Sequence, residues 1–437
     1  MKKTGILIAL IISAVMLFTA CGDPTTEYLR QGDTYYDQGQ FVEAIAEYTK
    51  AIEKNPNLVA AYARRGAVYN ARAEFDLAIA DLGKAIQLDP NSVINYENRA
   101  SAYISKEQYD QALADLNRTV ELDPRATMAY TNLSWLHVHK GNWDQAIESA
   151  TKAVQLDPNS YDAYFNRGVA YYSKGEIGKA RSDFNSALNI NRNLAPAYNY
   201  RGKINIVSDN LTQAIDDFSK AIKIDPDMAE AYKLRGFVYI EHREAEKALD
   251  DLNSAIELDD SDPMAYFYRG HVYNANQVFD RALDDLNRAL LLGPAADTKT
   301  FDPFSFDPGS IYLERAIAYR GKYELTKAVA DAKKAVELDP KSALKQANLG
   351  EMLIANADIE NGVSALNKAI ELDPHMPEAY FNRAAAYDIL AQMTKNTGYY
   401  PLMAKDLRKV IELSTDPEQI EAAKASIRMM QSKGYIP

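Results

Sequence analysis

The sequence predicts an all-α protein, a solenoid of repeated helix pairs, and three observations lead to this prediction. A stretch of about 34 residues recurs along most of the 437-residue chain, and residues 93–126 are a clear copy. Within the copies, small and apolar residues follow the i, i+4, i+7 spacing of a buried helix face, as Ala78, Leu82 and Ala85 do. Most copies end in Pro, and the residue before a proline disfavours helix. Stacked units of this kind share one continuous core.

The first 20 residues have the pattern of a signal peptide. Lys2 and Lys3 give a positive start, and the apolar run over residues 6–18 is shorter than the roughly 20 residues of a membrane-spanning helix. The run leads to Cys21, the single cysteine of the chain, and resembles the processing site of bacterial lipoproteins. This resemblance implies that Cys21 is lipidated and that residues 21–24 form a tether of at most roughly 14 Å. The alternative is an ordinary signal peptide followed by a chance cysteine.

Residues 25–296 hold eight repeats in uninterrupted phase. Each repeat reads as two helices of about 13 residues with a turn between them, and Gly39, Gly141 and Gly175 mark that turn in three copies. The predicted repeat starts are Thr25, Val59, Val93, Thr127, Tyr161, Ala195, Ala229 and Pro263.

A 12-residue insert, residues 297–308, follows the eighth repeat. It either fills the groove of the solenoid or covers the seam between two repeats, and the sequence favours the seam. Three further repeats occupy residues 309–413, and the last one carries an insertion around residues 394–400. Residues 416–433 are predicted to form a capping helix, because a polar-backed terminal helix covers the exposed end of a solenoid. The total is about eleven repeats and a cap.

The copy at residues 93–126 resembles the tetratricopeptide repeat (TPR), a helix–turn–helix unit of this period. The residues that carry the resemblance are Tyr96, Ala100, Tyr103, Ala112 and Pro124. The resemblance covers residues 25 to about 433. It implies a right-handed superhelix whose concave groove is lined mainly by the first helix of each pair and binds segments of other proteins.

A correlation between copies predicts an ion pair inside most repeats. Wherever Arg is lost, at Leu133 and Leu349, the matching Asp is lost as well. The two positions are equally far from the turn, so antiparallel helices bring them face to face, and a guanidinium then binds the carboxylate through two hydrogen bonds. The alternative is solvated surface charges. The predicted pairs are Arg65–Asp81, Arg99–Asp115, Arg167–Asp183, Arg201–Asp217, Arg235–Asp251, Arg269–Asp285, Arg315–Asp331 and Arg383–Asp406.

The TPR resemblance also implies where ligands bind, namely one, two and five places after the first-helix tyrosine. Aromatic residues gather at these places in the middle repeats, and such residues are common binding anchors. The alternative is that they pack against adjacent first helices. The candidate groove residues are Asn98, Asn132, Trp135, Phe165, Asn166, Tyr200, Phe237, Phe267, Tyr268 and Asn382.

Composition and motifs argue against other classes of function. A net charge of −12 without a basic stripe disfavours nucleic acid as a partner. A single cysteine excludes an internal disulfide and a cysteine-based zinc cluster. His137 and His139 are two residues apart and point to different helix faces, so no metal site is expected. No phosphate-binding loop or nucleophile motif occurs, and we therefore expect neither enzyme activity nor a cofactor.

The sequence thus predicts a lipid-anchored TPR scaffold on the extracytoplasmic side of a membrane in the bacterial cell envelope, with a protein or peptide as its ligand. Two alternatives stay open. One is an envelope assembly factor, similar to tetratricopeptide pilotins or outer-membrane assembly lipoproteins. The other is a carbohydrate or cell-wall binding module. The sequence names neither the ligand, nor the membrane, nor the oligomeric state.

Overall fold

Paired α-helices make up the architecture, as the sequence predicts. The computed structural model describes residues 23–293 and 307–437, and over these residues it contains 23 α-helices and no strand. The predicted all-α class of stacked helix pairs is confirmed. The predicted signal peptide (residues 1–20), Cys21 and residues 297–306 of the insert lie outside the described residues. The handedness of the solenoid stays a prediction.

Eleven helix pairs, called repeats 1–11, follow one another in the described ranges. The first helices are α1 (Pro24–Asp37), α3 (Val59–Ala71), α5 (Val93–Ser105), α7 (Thr127–His139), α9 (Tyr161–Ser173), α11 (Ala195–Val207), α13 (Ala229–Glu241), α15 (Pro263–Ala275), α17 (Pro308–Gly321), α19 (Ala343–Ala355) and α21 (Pro377–Thr394). The second helices are α2 (Phe41–Lys54), α4 (Phe75–Leu88), α6 (Tyr109–Leu122), α8 (Trp143–Leu156), α10 (Ile177–Ile190), α12 (Leu211–Ile224), α14 (Ala245–Leu258), α16 (Phe279–Leu292), α18 (Leu325–Leu338), α20 (Ile359–Leu372) and α22 (Tyr399–Leu413). A single helix, α23 (Pro417–Ser432), comes last.

The helices fall into two compact units, residues 23–204 and residues 205–293 with 307–437. In each unit, the two helices of a repeat pack on each other, as α3 and α4 do in the first unit and α13 and α14 in the second. First helices of adjacent repeats also touch, as α7 and α9 do. Each repeat has an apolar face that it cannot bury alone, so stacking is what completes the core.

Close approach of the two helices depends on a glycine or another small residue in the first helix. A Cβ atom added at Gly66 would lie 2.7 Å from Cγ of Leu82, and one added at Gly168 would lie 2.7 Å from the ring of Phe184. Leu82 and Phe184 are fully buried. The large side chain of the second helix therefore fills the space that the small residue leaves, as the dense packing of protein interiors requires.

The turn inside each repeat has a residue with left-handed backbone. Gly39, Gly141 and Gly175, which the sequence marks as turns, have φ values of 72°, 70° and 75°. After such a residue the chain makes the backbone hydrogen bonds of a Schellman motif, as from Glu74 N–H to the carbonyl of Tyr69 at 2.9 Å. Seven other repeats adopt the same turn without glycine, which the sequence does not predict. Their left-handed residues are Ala73, Glu107, Asp209, Arg243, Gln277, Tyr323 and Ala357.

The last repeat absorbs its insertion mainly by lengthening helices. Helix α21 has 18 residues, and α22 begins at Tyr399 rather than at Pro401 as the sequence predicts. Helix α23 then covers the end of the core, burying Ala423 and Met430 against Leu407 and other residues of α22. No helix in the described ranges is long and apolar enough to cross a membrane.

Asp307, at the end of the insert, starts the ninth repeat. Its carboxylate caps α17 by accepting hydrogen bonds from the backbone N–H groups of Gly309 and Ser310. It also accepts a 2.6 Å hydrogen bond from Nζ of Lys345, a lysine that is only 5 % exposed. These bonds lower the pKa of Asp307 although burial alone would raise it. The described end of the insert is thus fixed to repeats 9 and 10.

Candidate functional site

Arginine–aspartate pairs join the two helices of most repeats. In repeat 2, Nε and Nη2 of Arg65 donate hydrogen bonds to the two carboxylate oxygens of Asp81, at 2.7 and 2.9 Å. The hydrogen bonds to Asp81 raise the pKa of Arg65, against the effect of burial. The same two-bond geometry occurs in Arg99–Asp115, Arg167–Asp183, Arg235–Asp251, Arg269–Asp285, Arg315–Asp331 and Arg383–Asp406. These aspartates are between 2 % and 8 % exposed, so the solvated alternative does not describe them.

Two places depart from this pattern. Arg201 and Asp217 belong to different compact units, and their pairing stays a prediction. Repeat 1 carries Gln31 and Glu47 at the two positions, but the amide of Gln31 binds Glu27 and the carboxylate of Glu47 binds Lys50. Gln31 is shorter than arginine, and its amide binds a residue of its own helix. In repeat 1, the described side chains at these two positions therefore do not pair across the helices.

Most of these arginines also donate a hydrogen bond to a side chain of the preceding repeat. The sequence does not predict these bonds. Nη1 of Arg65 donates a 2.9 Å hydrogen bond to Oγ1 of Thr49, and Nη1 of Arg383 donates one of 2.6 Å to Oδ1 of Asn367. A hydroxyl or amide stands 16 residues before most of the arginines, and this spacing was the available signal. The further acceptors are Thr151 for Arg167, Asn185 for Arg201, Ser219 for Arg235, Asn253 for Arg269 and Asn287 for Arg315.

The candidate groove residues divide into two sets by burial. Eight are half-buried: Asn98, Asn132, Trp135, Phe165, Tyr200, Phe237, Phe267 and Asn382. Two are buried and do not offer their side chains to solvent, which corrects the prediction for them. The amide of Asn166 donates to Oγ of Ser134 at 2.9 Å, and Tyr268 packs against Phe237 with ring centroids 5.1 Å apart. Both side chains are occupied by the first helix of the preceding repeat.

The half-buried aromatic residues pack on one another while keeping part of each ring in solvent. Tyr200 lies against both Phe165, at 5.9 Å between centroids, and the core ring of Phe184, at 5.4 Å. Trp135 lies 3.6 Å from the ring of His139 and 6.0 Å from that of Tyr109. The packing of Tyr200 on Phe165 joins adjacent first helices, which agrees with one of the two interpretations of the sequence. Part of each ring also stays exposed, as the other interpretation, ligand binding, requires.

Polar contacts connect neighbouring first helices within each compact unit. Asn70 donates a 2.8 Å hydrogen bond to the carbonyl of Asn98 in the next repeat. In the second unit, His271 and Glu314 form a hydrogen-bonded pair of 2.8 Å between repeats 8 and 9, and this bond raises the pKa of His271. Within each unit, the candidate surface is thus a layer of first helices that packing and hydrogen bonds hold together.

Family models for the tetratricopeptide repeat match several parts of the chain. A model described as TPR repeat matches residues 32–72 and 136–175, and two models described as tetratricopeptide repeat match residues 161–194 and residues 59–92, 95–125 and 346–376. The chain belongs to the tetratricopeptide repeat family. Among curated proteins, none matches this TPR chain.

Several solved structures are similar to this chain. The crystal structure of the APC/C hetero-tetramer Cut9–Hcn1 matches with 14 % identity and a TM-score of 0.51, over 92 % of this chain and 96 % of that chain. Two shorter similar structures are MamA, with 30 % identity over 39 % of this chain and 94 % of that one (TM-score 0.37), and YrrB, described as a TPR protein with an unusual peptide-binding site, with 25 % identity over 42 % and 95 % (TM-score 0.38). At such identities the Cut9–Hcn1 likeness concerns the fold alone.

Lysine–aspartate pairs connect consecutive TPR units at the turns, and they too escape the sequence analysis. Nζ of Lys174 lies 2.5 Å from the carboxylate of Asp144, whose side chain is 84 % exposed. The spacing of 30 residues between Lys and the preceding Asp was the available signal. The other pairs of this kind are Lys106–Asp76, Lys140–Asp110 and, across the insert, Lys322–Asp280.

The two histidines of the fourth TPR unit have separate surroundings. Burial lowers the pKa of His137, and its Nδ1 atom is buried without a hydrogen-bond partner in the described part of the chain. The ring of exposed His139 contacts that of Trp135 at an angle of 35° between the ring planes. In residues 23–293 and 307–437, no group of three or more His, Cys, Asp or Glu side chains is placed to hold a metal ion.

Proposed function

We propose that this TPR chain is a non-catalytic scaffold that binds protein or peptide segments on the surface of its first helices. The observation that carries the proposal is a set of partly exposed aromatic rings on first helices, Trp135 and Phe165 in one compact unit and Phe237 and Phe267 in the other. Isolated apolar side chains on a surface need no explanation, but here two aromatic places recur three repeats apart, because Trp135 is equivalent to Phe237 and Phe165 is equivalent to Phe267.

Fixed rings are favourable anchors for a ligand. Phe165 is held by Phe184 and Tyr200, and Trp135 is held by Tyr109 and His139. Because their rotamers are set before binding, little side-chain entropy is lost when a ligand covers them. Aromatic anchors in such preformed surroundings are typical of the residues that dominate binding energy.

Amide side chains supply the polar part of the same surface. Asn132 and Asn382 are half-buried on first helices, one place before the arginine position. An asparagine amide both donates and accepts, so it matches the alternating N–H and C=O groups of a peptide backbone. The combination of rings and amides supports an extended protein segment as the ligand.

We propose further that Cys21 carries a lipid that tethers the scaffold to a membrane of the bacterial cell envelope, on its extracytoplasmic side. A short apolar run precedes the only cysteine of the chain, and only Gly22 separates this residue from Asp23, which caps α1. Two acyl chains give a stable anchor, since each buried methylene contributes about 0.8 kcal/mol. The first repeat would then work close to the lipid headgroups.

Site-specific photo-crosslinking tests the binding surface. A benzophenone amino acid at Trp135, Phe165 or Phe237 of the full chain is expected to crosslink a protein partner in native membranes. Glu121 provides the control position, because it lies on a second helix and its side chain is 64 % exposed. Crosslinks equally strong from Glu121, or only to lipid from all the aromatic positions, would overturn the assignment. A captured partner involved in envelope assembly would identify the narrower role of assembly factor.

Fractionation tests the anchor independently. The full chain is expected in the membrane fraction and should incorporate an alkyne-labelled fatty acid, whereas Cys21→Ser should lose the label and become soluble. Label retained in Cys21→Ser would refute lipidation at this residue and leave the binding surface untouched.

A carbohydrate ligand is the second candidate, and one observation favours it. Trp135, His139 and Tyr109 form a partly exposed aromatic group, and such rings stack on sugars as well as on peptide side chains. Parallel binding to a peptide array and a glycan array separates the two candidates. Retention on glycans alone, abolished by Trp135→Ala, would replace the peptide proposal.

A further inference from the structure

One pair of facing positions in the helix pair holds alanine on both helices in at least five repeats. The first position lies four residues before the paired arginine, and the second lies four residues after the paired aspartate. Within repeats 2, 4, 5, 7 and 8, both are fully or almost fully buried alanines: Ala61 and Ala85, Ala129 and Ala153, Ala163 and Ala187, Ala231 and Ala255, Ala265 and Ala289. Repeat 3 departs at both positions, with Asn95 and Thr119.

The geometry of the pair places Asn95 and Thr119 opposite each other. Arg99 and Asp115 bind across α5 and α6 through two hydrogen bonds of 2.7 Å. Asn95 is about one helical turn before Arg99, and Thr119 is about one turn after Asp115. In antiparallel helices these two steps run in the same direction, away from the turn. The two polar side chains therefore lie at the level where repeats 2, 4, 5, 7 and 8 carry buried alanines.

Both side chains are buried and unsatisfied. Asn95 is 1 % exposed and Thr119 is 0 % exposed. Oδ1 and Nδ2 of Asn95 and Oγ1 of Thr119 have no hydrogen-bond partner in the described part of the protein. Desolvating such groups without a partner is unfavourable, and buried polar atoms in native proteins are nearly always satisfied by protein or by ordered water. Arg99 and Asp115, about one helical turn away on the two helices, bind each other.

We propose that Asn95 and Thr119 bind an internal water molecule between the two helices of repeat 3. The water either donates to Oδ1 of Asn95 and accepts from the hydroxyl of Thr119, or accepts from Nδ2 of Asn95 and donates to Oγ1 of Thr119. Two to four polar contacts are typical of buried water. Asparagine and threonine are neutral, so the site fits a neutral ligand better than an ion. Where five other repeats carry alanines, repeat 3 would thus have a hydrogen-bonded bridge between its two helices, at the end of the helix pair away from the turn.

A crystal structure and a double-mutant cycle on the full chain test this proposal. The expected crystal result is a solvent peak within hydrogen-bond distance of both Asn95 and Thr119. Asn95→Ala and Thr119→Ala each restore the residue that other repeats carry, so the variants should fold. Each single change leaves the bridge half-made and should lower Tm, whereas the double variant should recover most of the loss. Asn98→Ala, on the same helix, is the control in which the solvent peak remains.

Three results would overturn the proposal. One is a direct hydrogen bond between Asn95 and Thr119 in the crystal. Another is the lack of a solvent peak that touches both side chains. The third is a rise in Tm for each single variant that adds up in the double variant, because it would show two independent unsatisfied groups rather than one shared ligand.

Discussion

Repeats 4 and 5 are neighbours with equal helix lengths, but they join their helices differently. In repeat 5, Arg167 binds Asp183 across the helix pair and Thr151 in repeat 4. In repeat 4, Leu133 and Ser149 stand at the equivalent positions, and Leu133 is buried. A charge at this depth is tolerated only with its partner, and an apolar replacement of the pair is equally compatible with the fold. The comparison teaches that the pair is a unit that is kept or lost as a whole.

A second difference concerns volume. Gly168 of repeat 5 lies beneath the ring of Phe184, whereas repeat 4 has Ser134 and Ala150 at the same two positions. In repeat 5 the large Phe184 on the second helix leaves room only for glycine on the first, whereas the small Ala150 of repeat 4 leaves room for the side chain of Ser134. The two repeats thus distribute side-chain volume differently between their helices, as close packing of the interior allows.

The largest effect is expected from breaking the pair on one side. Arg167→Leu leaves Asp183 buried and unpaired and should reduce the free energy of unfolding by about 3 to 5 kcal/mol. The double variant Arg167→Leu with Asp183→Ala reproduces the residues of repeat 10 and should be clearly more stable than the single one. Denaturant unfolding measures both, and equal losses would contradict a buried pair.

The reverse experiment introduces the ion pair into repeat 4. Leu133→Arg introduces a buried charge without a partner and should destabilise the protein, and adding Ser149→Asp should reverse part of the loss. If Ser149→Asp gives no recovery, the surroundings of repeat 4 no longer accept the pair, and the equivalence of the two repeats is wrong.

Overpacking in repeat 5 should have a smaller effect. Gly168→Ala places a Cβ atom against the ring of Phe184 and should cost about 1 to 3 kcal/mol. Gly178→Ala is the matched control, because an added Cβ atom there meets nothing within 4 Å. The control should be neutral or stabilising by up to about 1 kcal/mol, as alanine favours helix. Similar melting temperatures for both variants would show that the helix pair relaxes around the new atom.

Low pH should destabilise repeat 4 through a histidine that repeat 5 lacks. His137 stands in repeat 4 where repeat 5 has Tyr171, and burial lowers its pKa below the ordinary value of 6.5. Above pH 6.5 the imidazole is neutral in both the folded and the unfolded chain. As the pH falls, the unfolded chain takes up the proton first, so stability is lost until the pH is below the folded pKa. His137→Tyr should reduce this loss in melting curves between pH 8 and pH 5, and an unchanged pH profile would exclude His137 as the cause.

The smallest effect is expected at the junction of the two repeats. Asp144→Ala removes the exposed partner of Lys174 and should change stability by less than about 1 kcal/mol. The difference between variant and wild type should shrink further in 1 M salt, because exposed charges are screened. A loss as large as that of Arg167→Leu would show that the surface pairs share the role of the buried ones.

The sequence predicts the helix pairs because periodicity is a local property, and it points to Arg99 and Asp115 because two positions change together. The prediction from sequence is wrong where the exposure of a side chain depends on a neighbouring repeat. Asn166 and Tyr268 occupy places that vary between copies, but whether such a place is exposed depends on the residues of the preceding first helix.

Turn residues such as Glu107 and Tyr323 also escape prediction. Their left-handed backbone is imposed by the packed helices on either side rather than preferred by the residue itself. The hydrogen bond from Arg65 to Thr49 and the ion pair of Lys174 with Asp144 each join residues at a sequence spacing that recurs along the chain. Contacts between neighbouring repeats can therefore be predicted only when residues of different repeats are compared.

The third hydrogen bond of the arginines gives the chain a direction. Arg65 needs Thr49, and Arg383 needs Asn367, so the acceptor always belongs to the repeat on the N-terminal side. During synthesis the acceptor has already emerged when the arginine follows, and domains begin to fold from the N-terminal end. A growing chain of this design can therefore bind these guanidinium groups to structure that is already complete, and removal of repeats from its C-terminal end leaves none of these arginines without its acceptor in the preceding repeat.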